Sequence, residues 1–180
     1  MDKELINLSK FLSLVLRHKP QEIDLVLDGN GWADVTILID LMSRKGVLLN
    51  EALLSQVVAE DEKNRFSFNR DKSKIRANQG HSIEVDLALS PQQPPNILFH
   101  GTAVQFIASI KQQCLLPWNR QHVHLSSDQS MAIKVGQRHG KPTALLIRAV
   151  EMYCSGFVFF LSENGVWLTK YIPVKYIDFL

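Results

Sequence analysis

Residues Ile75-Arg76-Ala77-Asn78-Gln79-Gly80-His81-Ser82 gather a guanidinium, two carboxamides, an imidazole, a hydroxyl and one glycine into eight positions. The run has neither the helical period nor the strand alternation that would explain it as core. Arginine and amide groups hold phosphate and nucleotide oxygens well, and glycine lets backbone approach a ligand closely. A polar loop turning at Gly80 would explain the run taken alone. Its company favours chemistry: Arg17-His18 lies upstream, and His100-Gly101-Thr102, His122-Val123-His124 and Arg138-His139-Gly140 lie downstream.

Several reaction classes lack their residues. There is no Gly-x-Ser-x-Gly elbow and no cysteine beside a histidine. Neither the Gly-rich P-loop nor the Rossmann fingerprint occurs, so a bound nucleotide must be held some other way. His122 and His124 would share one face of a strand, with His100 or His139 as a third ligand, but no acidic residue of ligand spacing accompanies them. The expectation is no metal. Bland readings compete for the rest. Arg17-His18-Lys19 suits the basic end of a helix stopped by Pro20, and Arg138-His139-Gly140 suits another helix end. Trp118 and Trp167 read as packing residues.

The elements that must position these groups fall into two parts. At 180 residues, with 46% hydrophobic and 21% charged residues, the chain has the composition of a soluble globular protein of one or two domains. No apolar run approaches the roughly 20 residues of a membrane span, and the start, Met-Asp-Lys-Glu-Leu, has no secretory pattern. Cys114 and Cys154 have no CxxC partner, so a reducing cytoplasm is the expected location. Net charge is only +2, but it is uneven: residues 1–90 carry 12 basic against 14 acidic groups, and 91–180 carry 8 against 4. Any polyanion site must therefore be a local cluster of arginines and histidines.

In order, Glu4 to Leu16 shows amphipathic helical spacing. A second helix follows Asp34, a suitable N-cap, and ends at Arg44-Lys45. A third runs from about Asn50 to Glu60. Arg65-Phe66-Ser67-Phe68, a turn at Asn69 to Lys72 and Lys74-Ile75-Arg76 then read as a β-hairpin. Three helices and a hairpin is the order of a winged helix over residues 1–90. Pro91 to Pro95 reads as a linker. Residues 96–180 are β-rich. Strands are expected at Ile97 to His100 with Gly101-Thr102 at the exit, at Val123 to Leu125, at Thr143 to Val150, on both sides of an Asn164-Gly165 turn, and from Tyr171 to Leu180. Helices are expected from Val104 to Gln113, with Phe106, Ile107 and Ile110 inward, and from a Ser126 or Ser127 cap to about Arg138. The fold class is α+β. No unexplained apolar face calls for an obligate partner, so a monomer is expected.

Taken together and in order, these segments resemble the RNA 2'-phosphotransferase family of KptA type nearly end to end. The resemblance rests on Leu14 to His18, Gly31-Trp32-Ala33, Arg65-Phe66, Ile75 to Ser82, His100-Gly101-Thr102, His122 to Ser126, Arg138-His139-Gly140 and Ser162 to Leu168. It implies an N-terminal winged-helix RNA lobe and a C-terminal ADP-ribosyltransferase-like lobe that holds NAD as a consumed co-substrate. It also implies two steps. The RNA 2'-phosphate attacks C1'' of the nicotinamide ribose and expels nicotinamide, giving a 2'-phospho-ADP-ribosyl RNA. The ribose O2'' then attacks that phosphorus, releasing RNA with a free 2'-OH and ADP-ribose 1'',2''-cyclic phosphate.

The family's catalytic tetrad falls on Arg17, His18, Arg65 and Arg138. His18 would bind the 2'-phosphate or protonate the departing RNA oxygen. His100, Gly101 and Thr102 resemble the first NAD motif, and one of His122 and His124, with Ser126, resembles the second. Val166 takes the position where many ADP-ribosyltransferases carry a catalytic glutamate; an anionic phosphate acceptor needs no such base. Arg76, Asn78, Gln79, His81 and Ser82 are expected to line the seam between RNA and cofactor. Two other readings stand beside this one. The first is an ADP-ribosyltransferase that modifies nucleic-acid terminal phosphates, or another acceptor, and stops there. The second is a non-catalytic winged-helix binder.

Overall fold

The computed structural model describes residues 3–179, and the chain divides into two compact units, Met1–Ala88 and Leu89–Leu180, each built on its own apolar core. Among the described residues there are six α-helices and three small antiparallel sheets, a mixed α and β architecture.

In the first unit, helix α1 (Lys3–Arg17) buries Leu5, Leu8, Leu12, Val15 and Leu16, as their three-to-four spacing requires. Pro20 opens a 3-10 turn, Pro20–Ile23, so α1 ends with Arg17 in its last turn. Helix α2 (Val35–Arg44) is capped by Asp34, which accepts from the Ile37 N–H at 2.9 Å. Asn50 does the same for α3 (Glu51–Ala59) through the Leu53 N–H at 2.8 Å. Strands β1 (Ala33–Asp34), β2 (Phe66–Phe68) and β3 (Lys74–Ala77) form a sheet with β3 in the middle, Phe66 lying opposite Ala77 in the hairpin. The pairing of β1 is new. Ala33-Asp34 read only as the approach to α2, and two residues paired with Ile75 and Lys74 carry no local signal. Ile75, fully buried, packs into the same core as Leu12, Leu38 and Leu54, which fixes the strand that leads into the polar run.

In the second unit, β4 (Ile97–Ala103) pairs with β6 (Pro142–Arg148), and β6 with β9 (Ile177–Phe179). A second sheet orders β5 (Val123–Leu125), β8 (Trp167–Thr169) and β7 (Phe160–Leu161), with β8 central. Helices α4 (Ile107–Gln113), α5 (Gln129–Gly136) and α6 (Ala149–Cys154) complete it. Pro91 bridges to Phe160, and the Gln92 N–H donates to the Phe159 carbonyl at 2.8 Å, so the start of this proline-rich stretch is tied to the chain entering β7.

Several expectations give way here. Gly101 and Thr102 lie inside β4 rather than at its exit. Val104–Phe106 is a 3-10 turn that leaves Phe106 exposed, and only Ile107 onward is α-helical. The cap of α5 is Asp128, which accepts from the Ser130 and Met131 N–H groups; Ser126 instead accepts from the Asp128 N–H. The apolar run from Thr143 changes from strand to α6 at Ala149. Of the expected final strand only Ile177–Phe179 forms, because Pro173, which lacks a ladder donor, leads into a 3-10 turn; Leu180 lies outside the described residues. Trp118 is 76% exposed rather than packed.

Candidate active site

In the first unit the polar run folds back on the end of α1. The Ser82 N–H donates to the Arg17 carbonyl at 3.0 Å, and the Ser82 hydroxyl meets His18 Nδ1 at 2.9 Å. Two contacts from one residue thus fix the helix terminus and the imidazole together. Gly80 makes the fold-back possible: its φ of +89° is a backbone state that other residues adopt only with strain, and Arg17 Nη1 lies 3.6 Å from where a Cβ would sit. Arg17 Nη2 donates to the Arg65 carbonyl at 3.3 Å, and its guanidinium stands 5.9 Å from the centre of the Phe66 ring. Arg17, His18 and Arg65, distant in sequence, are therefore neighbours.

Asp61 was not singled out from the sequence. It is almost fully buried, accepts the Arg65 backbone N–H at 2.6 Å, and forms an ion pair with the Arg65 guanidinium. An acid four residues before an arginine was the one available signal, and in a loop that spacing means little.

The remaining residues of the run divide. Arg76 lies over the Trp32 ring at 4.5 Å and donates to the Leu87 carbonyl at 3.4 Å, both contacts within the fold. Asn78 donates its side-chain N–H to the Asn64 carbonyl at 2.7 Å. Its Oδ1, the Gln79 Oε1 and both ring nitrogens of His81 are buried without a hydrogen-bond partner. Buried polar atoms are nearly always bonded, so these four atoms mark the run as a candidate binding surface. Burial, and then the charges of Arg17, His18 and Arg76, lower the His81 pKa to about 4, so this imidazole is neutral at physiological pH.

In the second unit His100 sits on β4, and its Nδ1 bonds the His124 carbonyl at 3.0 Å, joining the two sheets. Burial holds its pKa below the ordinary histidine value despite that bond; the charges of Arg120 and His139 act in the same direction. A Cβ on Gly101 would fall 1.7 Å from the Ala132 carbonyl, and one on Gly136 would fall 2.4 Å from the Thr102 carbonyl. The backbones of β4 and α5 thus touch through this glycine pair, which gives Gly101 a packing reason of its own. Thr102 is buried alongside. Arg138 follows directly, in the 3-10 turn Gln137–His139 that ends α5.

His122 stacks edge-on to Phe160 at 5.8 Å, whereas His124 turns to Arg120, whose Nη1 is 3.3 Å from its Nδ1. Ser126 is joined to Phe99 by two backbone bonds of 2.8 and 2.9 Å. Val166 closes a turn against Ser162, whose hydroxyl accepts the Val166 N–H at 3.1 Å and donates to its carbonyl at 2.8 Å. Among the described residues no group of three histidine, cysteine or acidic side chains is arranged to hold a metal ion. No helix among them is long and apolar enough to cross a membrane.

Arginines and histidines, brought together around Arg17 in the first unit and around His100 in the second, are the equipment of a protein that handles anionic ligands. The comparisons with known proteins narrow that class. The model of the RNA 2'-phosphotransferase, Tpt1 / KptA family matches residues 3–171, and the chain belongs to this family. It is 52% identical over 176 residues to a "Probable RNA 2'-phosphotransferase" of Acaryochloris marina, covering 98% of this chain and 97% of that one. A protein of the same name from Flavobacterium johnsoniae is 53% identical over 173 residues, with 96% and 95% coverage. One from Escherichia coli is 49% identical over 178 residues, with 98% and 97% coverage.

Proposed function

We propose that this chain is an NAD-dependent RNA 2'-phosphotransferase whose first unit, a winged-helix lobe, takes the phosphorylated RNA and whose second, an ADP-ribosyltransferase-like lobe, takes NAD. The observation that carries the reading is the fold-back of Asn78 to Ser82 onto Arg17 and His18. It gathers the Arg17 guanidinium and the His18 ring with a neutral imidazole, His81, and with buried polar atoms that have no protein partner. A phosphate ester fits that set, because its oxygens accept from guanidinium and imidazole N–H groups alike.

Arg17 and Arg65 are assigned to the nonbridging phosphate oxygens, where fixed positive charge stabilises the charge spread over the transition state. Asp61 holds Arg65 in one orientation, so little reorganisation is needed when the charge develops. His18, the tetrad member able to exchange a proton near neutral pH, binds the 2'-phosphate or protonates the departing RNA oxygen. Arg138, in the second unit, is the remaining member of the tetrad that the family resemblance implies. In the second unit the donors and cations at His100, His124, Arg120 and Arg138 suit a dinucleotide that carries two negative charges. His124 is the better placed of the histidine pair, since its carbonyl and ring both join this group and His122 packs on Phe160. NAD would supply the electrophilic ribose carbon and the nicotinamide leaving group.

The test is incubation of the protein with NAD and a short RNA bearing one internal 2'-phosphate. Dephosphorylated RNA and ADP-ribose 1'',2''-cyclic phosphate are expected. RNA that keeps ADP-ribose would replace this reading with that of an ADP-ribosyltransferase, and intact NAD would remove the catalytic assignment altogether.

A further inference from the structure

We propose that Trp118 is a stacking platform for an unpaired nucleobase of the RNA substrate, which gives the second unit an RNA contact of its own. The inference rests on the reading that the chain takes a 2'-phosphorylated RNA.

The three tryptophans divide by what their rings meet. Trp32 carries the Arg76 guanidinium over its ring at 4.5 Å, and Trp167 packs against the apolar core of the second unit. Trp118 is 76% exposed, and among the described residues its ring has no aromatic or cation–π partner. An indole left in water forgoes one of the largest burial gains open to a side chain. The backbone adds to that cost: at φ +54° Trp118 holds a left-handed state that bulky residues adopt only with strain. No ring contact within the chain offsets either.

The frame beneath the ring is fixed. On one side Leu115 exchanges two backbone hydrogen bonds with Ile172, at 3.0 and 2.9 Å. On the other, the Arg120 N–H donates to the Pro117 carbonyl at 3.1 Å, closing a turn with Trp118 at its first central position. Pro117 restricts the approach further. The ring is therefore presented from an ordered turn, and little backbone freedom is lost when a flat partner settles on it.

Shape and charge identify the occupant. A dinucleotide lies in a concave site that covers most of its surface, and a ring three-quarters exposed lines no such site. Single-stranded RNA offers bases splayed from its backbone, and exposed aromatic rings take them irrespective of sequence. No acidic residue occurs between Asp86 and Asp128, so no carboxylate of this stretch repels the phosphates of a strand laid across Trp118. The chemistry calls for such a contact as well. In the two-step reading the RNA phosphate bonds to a carbon of the cofactor, so the strand must reach the unit that takes the cofactor.

The experiment is fluorescence anisotropy of a labelled, short single-stranded RNA with one internal 2'-phosphate, without NAD, for the unaltered chain, Trp118→Ala and Trp118→Phe. The same RNA is prepared with the base on either side of the phosphate removed. Loss of one stacked base is expected to weaken RNA binding by about tenfold in Trp118→Ala, and by about threefold in Trp118→Phe, whose ring is smaller. Removing the stacked base should cost the unaltered chain about tenfold and Trp118→Ala less than about twofold. That comparison separates stacking from a change of fold, because the unaltered chain and the abasic RNAs need no substitution. ADP-ribose affinity, measured by calorimetry, should stay within about twofold in both variants. Unchanged RNA affinity in Trp118→Ala overturns the proposal, as does an equal loss on base removal in both proteins. A loss confined to ADP-ribose also overturns it, since the ring would then belong to the adenine of the cofactor. If the unaltered chain does not bind the 2'-phosphorylated RNA, the reading beneath the proposal fails and the proposal falls with it.

Discussion

Acidification should reveal how His81 is held. Its pKa falls from 6.5 to about 4 on folding, through burial first and then the charges of Arg17, His18 and Arg76. A histidine with a depressed folded-state pKa binds fewer protons folded than unfolded. Stability therefore rises with pH across the window from about 4 to 6.5 and is lost as the pH falls through it. At 1.36 kcal/mol per pH unit, the linkage amounts to about 2 kcal/mol between pH 7 and pH 5 and approaches about 3 kcal/mol below pH 4. Urea unfolding of the wild-type protein and His81→Gln, at half-unit steps from pH 7.5 to 4.5, isolates this contribution, because the other histidines titrate in both. The wild type should lose about 2 kcal/mol relative to the variant over pH 7 to 5. Parallel curves, or an NMR titration of the His81 ring centred near 6.5, would refute the claim that the polar run buries a neutral imidazole.

Three further substitutions test other links. Arg138→Ala should cost at least about 2.7 kcal/mol of transition-state stabilisation, the scale of one oxyanion donor, read as kcat/KM on 2'-phosphorylated RNA; turnover near wild type would end its catalytic assignment. Asp61→Asn should lower kcat about tenfold or more, with a smaller change in KM, because the Arg65 guanidinium loses its fixed partner. An equal rise in KM with kcat intact would mean that Asp61 merely supports binding. Val166→Glu should not raise the rate of phosphate removal, and a large gain would show that the turn at Ser162 to Val166 had been assigned to the wrong position.

Local signals carried the first unit well. The apolar spacing of Leu5, Leu8, Leu12 and Leu16 and the side-chain oxygens of Asp34 and Asn50 lie within a few residues of what they control, and α1, α2 and α3 follow them. The β2–β3 hairpin was equally local. Short-range reasoning failed where a distant partner decides. The Ala33–Asp34 strand exists because Ile75 and Lys74 pair with it. The apolar stretch after Thr143 has no internal sign that Ala149 begins a helix, since a buried strand and a buried helix share the same composition. In the site, residue types were legible and partners were not. Nothing near Arg65 distinguishes Asp61 from a surface acid, and nothing near His124 shows that Arg120 will turn toward it.

The glycine pair that lets α5 lie against β4 has a consequence for how substitutions at this protein will be scored. In a survey of every single change selected by activity, Gly101 and Gly136 should rank with the arginines. A single added methyl carbon would strike backbone at 1.7 or 2.4 Å and displace the helix that delivers Arg138. Intolerance there would measure spacing, and a glycine so identified would owe its importance to a neighbouring carbonyl rather than to any substrate. Activity alone would not separate the two cases. Thermal unfolding would: Gly101→Ala should lose about 3 kcal/mol of stability as an overpacked interface, whereas Arg138→Ala, at an exposed position, should leave the melting temperature nearly unmoved.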